Sequence, residues 1–260
     1  MSRGGASIEY LYGVHPVREA LLARRRDIKE VWLQQGEPDR RRGRINDLAC
    51  RQGIAVNSIG AAKLKSLLGP VSHQGVVAKV GRLPVTPLAQ VLPRDSARKS
   101  IASDHGVWLL LDSIVDPHNL GAIIRTSLCA GVKAVITPKD RSAPFSPAVS
   151  KASAGALEHM PLVSVTNLAD TIKTLKSHGM WVAGLDADAD TLLYRQDLTG
   201  RLALVVGGEE KGIRPRVKQQ CDFLLAIPQL GKISSLNASV AAAVVMFEAL
   251  RQQRDASGIQ

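Results

Sequence analysis

The sequence predicts an α/β protein in two domains, the second built on a mostly parallel sheet. Three observations carry that expectation. From residue 107 onward, short apolar runs alternate with helix-period stretches, as in parallel sheets covered by helices on both faces. Between 83 and 105 the chain turns to prolines, small polar residues and basic spots, the composition of a linker. The charge is also uneven. Residues 1–100 hold 18 Lys/Arg against 8 Asp/Glu, and residues 101–260 hold 16 against 15. The expected division is therefore 1–82, a linker at 83–105, and 106–260.

The first domain reads as a small α/β unit. YGVHPVREALLARR (12–25) is a loop followed by a helix, with Pro16 tolerated in the first turn. IKEVWLQ (28–34) alternates like a strand. RINDLACRQG (44–53) is helical and stops at Gly53. IAVNSI (54–59) is a short strand, AAKLKSLLG (61–69) a short helix and QGVVAKV (74–80) a strand. Basic clusters stand at Arg24, Arg25 and Arg26, and at Arg40, Arg41, Arg42 and Arg44. Such clusters bind phosphates without reading sequence; a solvated basic face is the alternative. In the linker, PLAQVL is too apolar to be wholly free.

The second domain opens with VWLLLDSI (107–114), a buried-type strand, and NLGAIIRTSLCAGV (119–132), a helix ended by Gly131. Strands follow at 133–138, 160–165, 180–186, 201–208 and 223–228. Between them come helices at 146–158, 168–179 and near 215–220. A long Ala/Val-rich helix closes the chain, with Val240, Val244 and Phe247 at helical spacing and Asn237 or Ser239 as its cap.

Composition excludes several classes. Aromatics are 3% of 260 residues, which argues against a binding face built on base stacking. No run of 18 apolar residues suggests a membrane span, and the first residues lack an apolar signal core. Cys50, Cys129 and Cys221 are far apart and odd in number. They read as buried thiols of a reducing cytosol, not as a disulfide frame or a zinc site. The net charge of +11 lies almost wholly in the first 100 residues and points to a polyanionic partner.

Three stretches stand out for chemistry. DPHNLG (116–121), with Arg125 beyond it, follows a strand end, where open α/β sheets place ligands. A plain turn and helix start explains it equally. GGEEKG (207–212) also follows a strand. Its glycines permit close backbone approach to a ligand. It is neither a Walker A loop nor G-x-G-x-x-G, and its carboxylates suit a positively charged or hydroxyl-bearing ligand better than phosphate. An ordinary strand-to-helix loop is the alternative. SSLN (234–237) precedes the last helix and can be simply its cap.

Together the three patterns, N-x-G-x-x-x-R, G-x-E-x-x-G and S-L-N in that order, resemble the SpoU family of S-adenosylmethionine-dependent RNA ribose 2′-O-methyltransferases. GVHPV (13–17) and SHQGVV (72–77) resemble the ends of that family's L30e-like RNA-binding domain. KDRSA (139–143) is similar to members that methylate a guanosine ribose in 23S ribosomal RNA.

The resemblance implies a mostly parallel sheet with a C-terminal trefoil knot, a homodimer and a cytoplasmic enzyme without a metal. It implies S-adenosylmethionine held by Gly207, Ile227 and Leu236, with Pro228 and Gly231 in the same loops. Arg125, Glu209, Asn237, Ser235 and Asn119 become the catalytic candidates. Arg125 is the family's usual base, yet a guanidinium does not normally deprotonate, so phosphate or alkoxide contact is an open alternative. Arg40, Arg41, Arg42 and Arg44 are the candidate RNA contacts. A transfer-RNA enzyme and a non-catalytic ribosome-assembly factor on the same fold are the competing readings.

Overall fold

The computed structural model describes residues 8–37, 39–93, 106–231 and 235–258. Expectations for 94–105 and for Ser234 lie outside the described residues. The chain begins β1 (Glu9–Tyr12), α1 (Val14–Ala23), β2 (Ile28–Gln34), α2 (Arg40–Arg51), β3 (Ala55–Ile59), α3 (Ala61–Leu68), β4 (Val76–Val80) and α4 (Leu88–Val91). It continues β5 (Gly106–Asp112), α5 (Pro117–Cys129), β6 (Ala134–Pro138), α6 (Pro147–Ala152), β7 (Leu162–Val165) and α7 (Leu168–Ser177). It closes β8 (Trp181–Leu185), β9 (Arg201–Gly207), α8 (Pro215–Lys218), β10 (Phe223–Leu225) and α9 (Ala238–Ala256). Two units result: Met1–Pro84 with Phe145–His159, and Val85–Pro144 with Met160–Gln260. The stretch Phe145–His159, which chain order places in the second domain, packs in the first unit.

The first unit is a four-stranded sheet in the order β1-β4-β2-β3, antiparallel except between β2 and β3. One face buries Leu11, Val17, Leu21, Val31, Ile45 and Ala78 with α1 and α2. The other packs Leu64 and Val77 with Tyr10 and Trp32, whose rings stack at 5.7 Å. β1 was not expected. It has four residues, too few for alternation to announce it, and pairing with β4 defines it. α2 begins at Arg40, earlier than expected, because the Asp39 side chain accepts the Arg41 N–H and caps it.

The expectation that Arg24, Arg25 and Arg26 form a phosphate-binding cluster does not hold for Arg26. Its side chain is fully buried. Its Nε and Nη2 donate to Glu158 at 2.7 and 3.2 Å, and its Nη1 to Glu9 at 2.8 Å. The Ser150 hydroxyl donates to the same Glu158 carboxylate. A buried charge needs such partners, so Arg26 is committed to structure. Residues 146–158 are not one helix. α6 ends at Ala152, and Ala154 and Gly155 take positive φ of 52° and 87° before a 3₁₀ turn.

The second unit is a six-stranded sheet, β10-β8-β9-β5-β6-β7, and every pair in it is parallel. Alternation along β5 sends Trp108 and Leu110 to the face packed by Leu168, Ile172 and Leu175 of α7 and by Val217 of α8. Each such fully buried side chain contributes about 1.5–3 kcal/mol. The Trp108 indole donates to the Val91 carbonyl at 2.8 Å, tying α4 to this layer. α9 packs on α5 and β9 through Ala242, Val245, Met246 and Ala249. The expected stripe of Val240 and Phe247 lies outside that contact, and both are about half exposed. Leu128 on α5 is likewise exposed, whereas Ile123 and Ile124 are fully buried.

The cysteines correct a second expectation. Cys50 and Cys129 are exposed and only Cys221 is partly enclosed, because the first two sit on the outer sides of α2 and α5. Burial, with Asp222 nearby, pushes the Cys221 thiol up to about 11. At pH 8 iodoacetamide should therefore label Cys50 and Cys129 and leave Cys221 at least about tenfold slower, since the thiolate reacts. Mass spectrometry of peptides from folded protein reads this; equal labelling of all three would contradict the packing around Cys221.

Candidate active site

In an all-parallel sheet the carboxyl ends of the strands share one edge, and ligands bind there. Every sequence-predicted site residue of the second unit except Arg125 comes from a strand end or loop on that edge or from the start of α5 or α9. The edge is organised by Asp112, the fully buried last residue of β5. One carboxylate oxygen accepts the Arg214 backbone N–H at 2.8 Å and the other accepts Arg214 Nε at 2.7 Å. The Asp112 carbonyl accepts the Gly208 N–H at 2.9 Å. The whole 207–214 loop is thereby pinned to β5.

The glycines of that loop serve this closure. A Cβ on Gly207 would collide with the backbone of Gly212 and Ile213, and one on Gly208 with the Ser113 carbonyl. The close approach expected at these glycines is made by the chain itself. Gly207 also lines the cavity described below, so the two uses coexist.

Three polar side chains meet over the loop. Asn119 Nδ2 donates to Glu209 Oε1 at 2.7 Å, and Asn237 Nδ2 donates to the same oxygen at 2.6 Å. Asn237 Nδ2 also lies 3.0 Å from Asn119 Oδ1. Local structure sets each partner. The Asp116 side chain accepts from the His118 and Asn119 N–H groups and caps α5, with Pro117 in its first turn. Asn237 caps α9 through Oδ1, which accepts the Ser239 N–H at 2.9 Å. DPHN and SLN are thus ordinary helix starts, and they also supply the two amides. Glu209 Oε2 has no hydrogen-bond partner among the described residues.

Two cavities flank this cluster and share Gly208, Glu209 and Gly212. The first has an apolar floor of Leu185, Val206, Leu225, Ile227 and Leu236, with Gly207 and Ser235 on its wall. Asp186 and Glu209 are its charged residues, and no cation lines it among the described residues. A hydrogen bond from Lys218, then one from the Asp188 N–H, hold the Asp186 carboxyl below the usual carboxylate range. Asp186, Gln229 and Ala241 were not foreseen. Asp186 follows β8 and opens the run DADAD (186–190), whose acidity was the available signal. Pro228 and Gly231, expected with the cofactor loops, are not among the residues lining this cavity. The second cavity is lined by Asp116, Asn119, Arg141, Glu209, Lys211 and Arg214, among others.

Arg125 is not brought to this cluster. It is exposed on α5, lines neither cavity and has no ion pair among the described residues. It follows Asn119 by six residues, which on a helix turns it away from the Asn119 side. In the first unit Arg40, Arg41 and Arg44 are exposed on α2. Arg42 is engaged: its Nη1 and Nη2 donate to the Gln34 and Glu37 carbonyls, each at 2.6 Å.

The chain matches the SpoU rRNA Methylase family over residues 106–247 and the RNA 2′-O ribose methyltransferase substrate-binding model over 10–85. It is 40% identical over 252 residues to the Pseudomonas putida 23S rRNA (guanosine-2′-O-)-methyltransferase RlmB, covering 96% of this chain and 98% of the relative. It is 38% identical over 245 residues to the Escherichia coli protein of that name, covering 94% and 99%. Its fold is that of the SpoU methyltransferase AviRb from Streptomyces viridochromogenes, solved in complex with AdoMet. The TM-score is 0.77, with 23% identity over 95% of this chain and 91% of that one.

The Asp112 linkage is open to a direct test. Asp112→Ala leaves the Arg214 N–H and guanidinium without their acceptor and should cost about 2 kcal/mol. For a chain of this size the melting temperature should fall by about 4–8 °C. Calorimetry showing less than about 1 °C would mean that the loop does not rely on Asp112.

Proposed function

Because the chain belongs to the SpoU rRNA methylase family, we propose that it methylates the 2′-oxygen of a guanosine ribose in 23S ribosomal RNA with S-adenosylmethionine as donor. The observation that carries the reading is the Asn119–Glu209–Asn237 cluster between two cavities, one largely apolar and one lined by charges of both signs. The relatives at about 40% identity over nearly the whole chain support the substrate. The first cavity suits the donor, since its apolar floor fits a purine and the Glu209 carboxylate favours a cation, Asp186 being already paired with Lys218. Gly207, Ile227 and Leu236 would hold it, with Pro228 and Gly231 in the adjoining loop. When bound, S-adenosylmethionine supplies a methyl group on a positively charged sulfur.

The protein's part is to hold the ribose hydroxyl in line and to take its proton. Two amides fix Glu209 through Oε1, which leaves Oε2 to accept a hydrogen bond from the ribose. Asn119 and Asn237 orient it, and the Ser235 hydroxyl stands on the same wall as a second polar contact. Arg125 lies outside this cluster in its own chain and acts by gripping a phosphate of the RNA. As a guanidinium it stays protonated and is a donor, not a base.

The chain acts as a cytoplasmic homodimer with the family's trefoil knot. Leu128 on α5 and Val240 and Phe247 on α9 are exposed apolar residues on two helices that pack together, a surface suited to a second copy. Arg125 stands one helical turn from Leu128 on that surface. The first domain contributes RNA affinity through Arg40, Arg41 and Arg44.

In single-turnover methyl transfer to 23S ribosomal RNA lacking the modification, Glu209→Ala and Asn237→Ala should each lose about 10²-fold or more while keeping the fold. Arg125→Lys should recover little activity, and its rate should not climb with pH relative to wild type; a steep alkaline rescue would instead make position 125 a base. Wild-type protein that transfers no methyl group to ribosomal RNA would refute the reading. Separately, changing Arg40, Arg41 and Arg44 together to Ala should weaken RNA binding for all sequences and flatten its salt dependence. The log–log slope should drop by roughly 0.7–0.9 for each phosphate no longer neutralised. An unchanged slope would place the RNA surface elsewhere.

A further inference from the structure

A third cavity, of about 680 Å³, lies at the carboxyl ends of β6 and β7 in the second unit. Its size falls within the roughly 300–1,000 Å³ of ordinary ligand pockets. Its charged lining is Arg141, Arg214 and Arg216, and no carboxylate lines it among the described residues. Pro215 and Val217 give it an apolar side, and Asn167 a polar one. Arg141 and Arg214 also line the second cavity of the active site, so the two spaces meet along these residues.

The three arginines are not equivalent. Arg214 is matched by the buried Asp112, which fixes its Nε and leaves the outer guanidinium nitrogens unassigned. Arg141 and Arg216 are exposed and have no ion pair among the described residues. The uncompensated positive charge of the cavity is theirs. Arg141 also holds a positive φ of 61° beside a buried Ser142 hydroxyl with no hydrogen-bond partner among the described residues. Both features are costly, and a loop kept that way places Arg141 for a purpose other than stability. Exposed and unpaired, Arg141 has no structural task that a shorter residue would not perform.

We propose that this cavity takes the nucleotide next to the methylated one. The phosphate joining the two is held between Arg141 and Arg214, and Arg216 faces the following phosphate. The proposal rests on the methyltransferase reading and adds how the RNA strand is fed to the site. The chemistry agrees. Guanidinium groups hold phosphate oxygens through paired, charge-assisted hydrogen bonds. Single-stranded RNA is read with its bases splayed against apolar and guanidinium surfaces, which Pro215, Val217 and the arginines supply. A carboxylate in the lining would repel the strand, and the described lining holds none.

The test uses the full chain with Arg141→Gln and Arg216→Gln, singly and together. Arg214 is left alone because of its bond to Asp112. The RNA is a fragment carrying the target guanosine, unmodified or with one neutral methylphosphonate at each flanking linkage in turn. Each variant should bind the unmodified RNA about tenfold more weakly, the effect of removing one charge-assisted hydrogen bond. S-adenosylmethionine affinity should not change. The neutral linkage that most weakens wild type should cost Arg141→Gln almost nothing further, because the guanidinium that held it is already absent. Variants that bind RNA like wild type, or an equal loss from that linkage in wild type and Arg141→Gln, would overturn the proposal. So would equal protection of the cavity by inorganic phosphate alone, which would mark a general anion site. Binding and methyl transfer are read separately. Normal methylation by wild type, together with variants that bind as it does, sinks only the cavity. No methylation by wild type sinks the parent reading, whatever the variants bind.

Discussion

The buried Asp112 carboxylate is the constraint on which the rest of the edge depends. A charge cannot stay enclosed without a partner, and Arg214 supplies it twice, through its backbone N–H and its Nε. That requirement draws the loop after β9 across the end of β5. Gly207 and Gly208 follow from it, since a side chain at either would block the crossing. With the loop so held, Glu209 comes within reach of Asn119 and Asn237. Without it, the three polar groups would belong to three unrelated turns.

Glu209 then forms a wall shared by two different spaces. On one side the cavity is apolar, carries Asp186, and has no cation among its described lining residues. On the other, Arg141, Lys211 and Arg214 stand beside Asp116, Glu209 and Glu210, so cations and carboxylates are matched in number. The two spaces thus differ in character, one apolar with acidic residues only and the other rich in both signs of charge, and Glu209 lines both. The fold achieves this with loops from strands that are neighbours in space and distant in sequence.

Arginine count is a poor guide to arginine use in this chain. Arg26 is enclosed by Glu158 and Glu9, and Arg42 is bound to two carbonyls. Both belong to runs of three arginines that look uniform in sequence. The distinction comes from desolvation. A buried guanidinium is held by its partners, while an exposed one keeps its donors for a ligand. The net positive charge of the first hundred residues therefore overstates what is available to RNA.

The sequence alone determined the class of fold, nearly every strand and helix of the second unit, and the residue types of the candidate site. These follow from local periodicity and from short motifs, which depend on neighbours only a few residues away. It also implied the family, because the three motifs occur in a fixed order. Tertiary structure decided the rest. It decided that Asn119 meets Glu209 across 90 residues and Asn237 across 118, that β1 is a strand, and that Cys50 and Cys129 are exposed. It kept Arg125 out of the cluster and brought Asp186 into the cavity. It gave Gly207 its reason in the passing chain. Strand order sets such pairings, and strand order is fixed by the packing of the whole sheet, a quantity no short stretch of sequence contains.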